Sequence, residues 1–158
     1  MWDVYFAAGF FNDEQRTVCK NMERLLKQRG FTFFSPRKEL LIKPGDPPEK
    51  LAQAFTGNLT AIDRSSIVLA RIDRWDAGTI WEMGYAYAAK AECGSPSIVA
   101  FTTEPRQRLN LMLAQSCDGF LQGWKQIREF LVGRLPGVPS KQLFNWEVAK
   151  RVWTAIIE

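Results

Sequence analysis

Two carboxylates six residues apart are the side chains of this chain best placed to do chemistry. Asp76 and Glu82 lie in the stretch D-A-G-T-I-W-E-M-G-Y-A, which ends at Ala86. The apolar run before this stretch predicts a strand, and the alanine-rich run that begins at Tyr85 predicts a helix. Ligands of open α/β sheets bind at such junctions, outside the carboxyl ends of the strands. Glu82 is therefore a candidate catalytic carboxylate at a ligand site.

The spacing of Thr79 and Glu82 also fits an ordinary structural role. In a capping box, a threonine at the start of a helix is followed three residues later by a glutamate whose side chain reaches back to the N-cap amide. Asp76 could likewise cap the loop. The spacing alone leaves both interpretations open, and they differ in the direction in which the Glu82 carboxylate points.

Composition narrows the possible chemistry. The chain has no histidine, which excludes a Ser-His-Asp triad and a Cys-His pair and leaves acid and base roles to Asp, Glu, Tyr or Cys. Its three cysteines lack C-x-x-C spacing, so we expect no metal and no disulfide framework. The net charge of +4 is scattered among acidic residues, so we expect no nucleic-acid partner. No apolar run approaches the length of about 18 residues that spans a bilayer, and we expect a cytoplasmic protein with no membrane partner.

The rest of the chain alternates short apolar runs with helical patterns. Strands are predicted at residues 4–8, 31–35, 66–72 and 97–102, with a fifth around 119–120, and helices at 13–29, 49–63, 82–91, 124–132 and 142–157. This alternation predicts an α/β fold, a flavodoxin-like three-layer sandwich with a parallel sheet of about five strands. The prolines between residues 37 and 48 predict a long loop. A length of 158 residues with 46% apolar content predicts a single domain over residues 1–158.

Three motifs, in the same order, resemble the nucleoside 2-deoxyribosyltransferase family. The pattern D-x-G-x-x-x-E-x-G-x-A from Asp76 to Ala86 is similar to the family's nucleophile motif. The segment from Tyr5 to Asp13 resembles its first strand and substrate loop, and Asn110-Leu111-Met112 resembles its N-L-M segment. The resemblance implies the flavodoxin-like fold and no cofactor. It also implies homo-oligomers, dimer-based and as large as hexamers, in which one subunit completes another's pocket.

The resemblance also implies a role for each of these residues. Glu82 would be the covalent nucleophile that carries a 2-deoxyribosyl group, Tyr5 would hydrogen-bond it, and Asp76 would bind a sugar hydroxyl. The implied substrate-binding residues are Gly9, Phe11, Asn58, Gly78, Asn110 and Met112. The implied reaction exchanges the base of a 2′-deoxynucleoside for a free nucleobase, with retention and ping-pong kinetics. The dipoles of a helix N-terminus are expected to favour the ionised form of the nucleophile.

Asn58 departs from the family pattern. Some members carry an aspartate at this position that is proposed to protonate the departing base, whereas an asparagine can only hydrogen-bond it. The segment at residues 35–39 is more charged than the matching family segments, so the preferred base is left open. Asp76 separates the chain from related deoxynucleoside monophosphate hydrolases, which carry a serine there, because an aspartate repels a phosphate. A free 5′-hydroxyl therefore fits better than a 5′-phosphate.

Two alternatives to base exchange remain open from the sequence. An N-glycoside hydrolase would form the same intermediate and let water resolve it, and the sequence separates the two activities poorly. A non-catalytic nucleotide-binding module on the same fold would hold phosphate through a glycine-rich loop. Neither a G-x-G-x-x-G motif nor a P-loop occurs, which disfavours the binding module.

Overall fold

The computed structural model describes residues 1–104, 108–133 and 140–149. Its strands are β1 (Trp2–Ala7), β2 (Phe33–Phe34), β3 (Ser65–Arg71), β4 (Ser97–Thr102) and β5 (Gly119–Gln122). Its helices are α1 (Asp13–Gln28), α2 (Pro36–Glu39), α3 (Pro48–Asp63), α4 (Ala77–Cys93), α5 (Leu111–Ser116) and α6 (Gly123–Phe130). Short 3₁₀ turns cover Asp73–Trp75 and Ser140–Leu143.

The five strands pair in parallel, in the order β2-β1-β3-β4-β5. This is the strand order of flavodoxin, so the predicted α/β fold is confirmed. In the middle of the sheet Ala7 of β1 pairs with Ala70 of β3, which pairs in turn with Ala100 of β4. The carboxyl ends of these strands therefore meet at one edge, where the loops after β1 and β3 lie side by side.

Alternate residues of each strand fill two cores, one on each face of the sheet. Val4 and Phe6 of β1 belong to the core with α1 and α6 residues, while Tyr5 and Ala7 belong to the core with α3 and α4 residues. Strands covered on both faces are apolar along their length, which explains the unbroken apolar runs of the sequence. Because side chains alternate along β1, the Tyr5 side chain lies on the face of the sheet that α4 covers.

Several elements differ from the sequence prediction. α4 begins at Ala77 rather than at Glu82, and α5 was not among the predicted helices. β2 has two residues rather than five, because Ser35 is the N-cap of α2 and Pro36 has no amide hydrogen to give the sheet. The residues of α2 also extend into the segment predicted as loop. Of the helix predicted at 142–157, residues up to 149 are described: residues 140–143 form a 3₁₀ turn, Phe144 bridges Leu131, and residues 146–149 are helical. Residues 150–158 lie outside the described part of the chain.

None of the described helices combines the length and the apolar character needed to cross a membrane. The longest of them, α4, contains Glu82 and Lys90. It ends at Cys93 and is capped by Gly94, whose φ of 76° lies in the left-handed region.

Candidate active site

A hydrogen bond joins β1 to α4 near the carboxyl edge of the sheet. The Tyr5 hydroxyl donates to Glu82 Oε1 over 2.7 Å. Tyr5 is fully buried, and its ring stacks on Phe34 of β2 with ring centroids 5.7 Å apart. Packing therefore fixes the phenol, and the phenol fixes one oxygen of the carboxylate. Within the described residues no group hydrogen-bonds to the second oxygen, Oε2, so this oxygen is available to a substrate.

The cap of α4 is formed by Asp76 and not by Glu82. Asp76 Oδ2 accepts hydrogen bonds from the amide and the hydroxyl of Thr79, each 2.8 Å long. Glu82 is the sixth residue of α4, so it lies in the second turn, beyond the amides that lack helical partners. The capping-box interpretation of Glu82 is therefore wrong, while the loop-capping interpretation of Asp76 is correct for one of its two oxygens.

Burial dominates the electrostatics of the Glu82 carboxyl. Loss of solvent raises its pKa from 4.5 to about 7, the Tyr5 hydrogen bond opposes the rise, and the charge of Asp76 adds to it. The expected preference of a helix N-terminus for the anion is outweighed, because Glu82 is a full turn into the helix. Burial and the neighbouring carboxylate raise the pKa of Tyr5 far above its ordinary value, so this phenol stays protonated and donates. Near neutrality Glu82 populates both its ionised and its protonated form.

Gly9 brings the loop after β1 against the carboxylate of Asp76. A Cβ atom placed on Gly9 would lie 3.1 Å from Asp76 Oδ1 and 3.0 Å from Gln15 Nε2, so only a glycine leaves these side chains undisturbed. The side-chain oxygen Oε1 of Gln15 accepts from the Phe11 amide over 2.7 Å and fixes this loop. Phe11 stacks on Phe10 and is 73% exposed, so its ring is free to contact a ligand.

Asn58 lies on the inward face of α3, between the buried residues Ala54 and Ala61. Its Oδ1 atom is buried without a hydrogen-bond partner, the one such side-chain atom found among the described residues. A buried polar atom without a partner costs free energy, so its presence on this face requires an explanation. The role of Asn58 toward a base stays a prediction.

The other predicted substrate-binding residues are Gly78, Asn110 and Met112. Gly78 is in the first turn of α4, beside Asp76 Oδ2. Asn110 caps α5, where its Oδ1 accepts from the Leu113 amide over 3.0 Å. Met112 is 77% exposed on the same helix. A single chain thus brings together Tyr5, Gly9, Asp76, Gly78 and Glu82, whereas Asn110 and Met112 face outward from it.

A buried ion-pair cluster beneath the loop after β3 was not anticipated from the sequence. Arg71, 3% exposed, donates to Asp73 Oδ2 over 2.6 Å and to Glu14 of α1. Asp73 also accepts from the hydroxyls of Thr102 and Thr103 and from the Thr103 amide. Burial alone would raise the pKa of Asp73, but these hydrogen bonds hold it below its ordinary value. The only signal in the sequence was an arginine at the end of an apolar strand, two residues before an aspartate.

The backbone between this cluster and Asp76 is strained. Arg74 and Trp75 have φ values of 59° and 52°, in the left-handed region that residues with side chains rarely adopt. Such a conformation costs about 1–3 kcal/mol for each residue and persists only where the surroundings impose it. The Arg74 side chain is 61% exposed, and Trp75 is 43% exposed, so neither is fully packed.

The charged segment at residues 35–39 is partly neutralised by α1. Arg37 donates to both oxygens of the buried Glu23, and the Ser35 hydroxyl donates to the same carboxylate over 2.8 Å. Arg37 is therefore part of an ion pair within the protein. Lys38 and Glu39 are the exposed charged residues of the segment.

Together these features define a class: a flavodoxin-like α/β protein with a tyrosine–glutamate pair and a second carboxylate at the carboxyl edge of its sheet. The described residues contain no group of three or more His, Cys, Asp or Glu side chains able to hold a metal ion. The model of one family, described as nucleoside 2-deoxyribosyltransferase, matches residues 4–128. The chain belongs to this family.

Two solved structures agree with the assignment of the fold. A 2-deoxyribosyltransferase from Bacillus psychrosaccharolyticus is 25% identical, with a TM-score of 0.68 over 80% of this chain and 90% of that one. A conserved protein from Enterococcus faecalis V583 is 20% identical, with a TM-score of 0.60 over 96% and 99% of the two chains. A 2-desoxiribosyltransferase from Leishmania mexicana is 22% identical over 65% of each chain, with a TM-score of 0.47. A search of curated protein sequences found no match.

Proposed function

We propose that the protein exchanges the base of 2′-deoxyribonucleosides through a covalent 2-deoxyribosyl intermediate on Glu82. The observation that carries the proposal is the 2.7 Å hydrogen bond from the buried Tyr5 hydroxyl to one oxygen of Glu82, which leaves the other oxygen for a substrate. Family membership supports a deoxyribosyltransferase activity. The sheet that the described residues share also supports the expectation of one domain over residues 1–158.

The proposed reaction consists of two displacements at the same sugar carbon. In the first, Glu82 Oε2 bonds to C1′, the bond from C1′ to the base nitrogen breaks, and the base departs with its electron pair and takes up a proton. In the second, a nitrogen of the incoming base bonds to C1′ and loses its proton, and the carboxylate of Glu82 is released. Two inversions give net retention, and the first base leaves before the second binds, which gives ping-pong kinetics.

The neighbouring residues have supporting roles in this proposal. Asp76 uses Oδ2 as the helix cap, so Oδ1, which faces Gly9, is the oxygen that would accept from a sugar hydroxyl. The exposed ring of Phe11 would cover the sugar or the base. Asn58 would offer its amide to the base without transferring a proton. The proton for the departing base then comes from solvent or from another group.

Base exchange can be tested with each of the four common deoxynucleosides and a mixture of free bases. Chromatography of the products should show new deoxynucleosides, and their identity gives the preferred base. In a parallel reaction without acceptor base, a transferase should release little free deoxyribose, whereas rapid release would favour the hydrolase. Tight binding of a nucleotide without turnover of any nucleoside would favour the binding module.

Mass spectrometry of protein trapped with a slow fluorinated substrate analogue should locate the sugar on Glu82.

Tyr5→Phe should shift the pH dependence of the reaction. The Tyr5 hydrogen bond lowers the pKa of Glu82, so its loss raises that pKa, and the ionised nucleophile becomes scarcer below the new value. We expect the rising limb of kcat/KM to move up by about one pH unit, which lowers the rate at pH 6 by about tenfold and has less effect at pH 9.

The control for Tyr5→Phe is Tyr85→Phe. Tyr85 also donates its hydroxyl to a carboxylate, Asp63, over 3.1 Å, but this pair is exposed. Its removal should leave the pH profile in place. An unchanged profile in Tyr5→Phe, with the fold intact, would contradict the role assigned to the phenol.

The outward-facing residues of α4 and α5 support a homo-oligomer with shared sites. Large apolar side chains there are more than 40% exposed. They are Trp81, Tyr87, Leu111 and Met112. A cleft lined by Ile80, Gly84, Tyr87, Met112 and Leu113 lies between the two helices. In the proposed assembly a partner subunit covers this face and supplies its own Asn110 and Met112 to the neighbouring pocket.

Met112→Glu should split this assembly. A charge buried in an apolar contact is costly, so we expect the particle mass to fall toward that of a single chain and base exchange to fall with it. Sedimentation measures the mass, and Leu41→Glu is the control because Leu41 is an exposed apolar residue in the loop after α2. A Met112→Glu protein of unchanged mass would place the interface elsewhere.

A further inference from the structure

The loop that leads to Asp76 is only partly held by its own side chains. Arg74 and Trp75, the two residues before Asp76, adopt left-handed conformations. The Arg74 side chain is 61% exposed and pairs with Glu104 at 3.3 Å, a contact of the kind that contributes little in water. Trp75 is 43% exposed, so part of it packs against the protein. The rest of the support for this conformation lies underneath the loop.

Asp73 is the buried residue that provides this support. Its side chain is 1% exposed, and both carboxylate oxygens are used. Oδ1 accepts from the Thr102 hydroxyl and, over 3.0 Å, from the Thr103 amide. Oδ2 accepts from Arg71 Nε and from the Thr103 hydroxyl, each over 2.6 Å. These donors come from the ends of β3 and β4, so the start of the loop is fixed to two strands of the sheet.

The same cluster reaches the second loop of the active site. Arg71 also donates to Glu14, in the first turn of α1. The next residue, Gln15, holds the Phe11 amide and lies against Gly9. Through Arg71 the loop after β3 and the loop after β1 are thus tied to one buried centre, and the contact between Asp76 and Gly9 is where the two loops meet.

We propose that Asp73 is a positioning residue that, through its bonds to Arg71, Thr102 and Thr103, fixes the Asp76 carboxylate against Gly9. Asp73 itself does not touch the substrate in this proposal. It acts through Asp76, three residues further along a strained backbone, and it sets where the sugar-binding oxygen lies. The effect on catalysis rests on the function proposed above, but the effect on Asp76 does not.

Hydrogen exchange of the Thr79 amide reports the position of Asp76 and does not require a measurement of enzymatic activity. This amide lies in the first turn of α4 and donates to Asp76 Oδ2 over 2.8 Å. Asp73→Asn places an N–H group where Asp73 now accepts from donors, so the loop should relax and the Thr79 amide should exchange with solvent about tenfold faster or more. Glu104→Gln, which alters only the exposed pair at the same loop, should leave this exchange rate unchanged. An unchanged Thr79 rate in Asp73→Asn overturns the proposal.

Kinetics then show whether Asp73 acts through Asp76. We expect Asp73→Asn to lower kcat/KM by about tenfold in the otherwise normal protein and to cause no further loss in an Asp76→Asn background. Equal losses in both backgrounds would mean that Asp73 only maintains the fold, and would overturn the proposal. Thr103→Val removes a single hydroxyl and should give the same pattern on a smaller scale if Asp73→Asn does not fold. A normal protein without base exchange would disprove the proposed function, while the Thr79 measurement would still decide the role of Asp73.

Discussion

Glu82→Gln will lower the rate of base exchange by about three orders of magnitude or more. Glutamine has nearly the same shape and can still accept the Tyr5 hydrogen bond, but its amide cannot form the bond to C1′ that the proposed mechanism requires. Base exchange between a deoxynucleoside and a free base, followed by chromatography, measures the loss. The expected residual rate reflects substrate binding and orientation alone.

The matched control is Glu49→Gln, which alters an exposed carboxylate in the first turn of α3. It should exchange bases at the normal rate. If Glu82→Gln retained a tenth or more of the activity, Glu82 would not be the nucleophile, and a different oxygen would have to carry the sugar.

The same substitution will make the folded protein more stable in alkaline solution. The folded pKa of Glu82 is raised from 4.5 to about 7, so the folded state holds this proton more tightly than the unfolded chain does. Stability from this group is fully present below pH 4.5 and is lost as the pH rises through 7. Glutamine stays neutral throughout, so at pH 8 we expect Glu82→Gln to increase the free energy of unfolding by up to about 3 kcal/mol.

Urea denaturation of both proteins at pH 4 and pH 8 measures this difference. The increase should be large at pH 8 and nearly absent at pH 4, where Glu82 is protonated in the folded and the unfolded chain. A variant that is inactive yet more stable also shows that the loss of activity does not come from misfolding. Equal stabilities at pH 8 would mean that the carboxylate is better solvated than its burial indicates.

The sequence predicted the fold well because its strands are apolar along their length and are separated by helical patterns. The pairing of Tyr5 with Glu82 was implied by the resemblance to the family and by no local rule. It could not predict the raised pKa of Glu82, because that value depends on the packing of Tyr5 against Phe34 and of α4 against the sheet. Burial of this kind is created by residues far apart in the chain.

The cluster around Asp73 illustrates the same limit. Arg71 and Glu14 are 57 positions apart, and Asp73 and Thr102 are 29 apart, so no spacing pattern connects them. The capping role of Asp76 followed from local spacing, whereas the capping role considered for Glu82 did not hold, because Asp76 comes first at the start of the helix. The structure places Asn58 in α3, Asn110 at the start of α5 and Met112 in α5. Their contacts with a substrate stay predictions.

The pairing of β1 with β3 has a consequence for how the chain acquires activity. Tyr5 and Glu82 are 77 positions apart, and the chain between them forms β2, β3 and the helices α1, α2 and α3. Contacts between residues so far apart in the chain form slowly, because closing the intervening segment costs conformational entropy. Local structure in either part of the chain can therefore form before this contact does. Turnover during refolding would therefore report the completion of the central sheet, and it should lag behind the recovery of helical signal in circular dichroism.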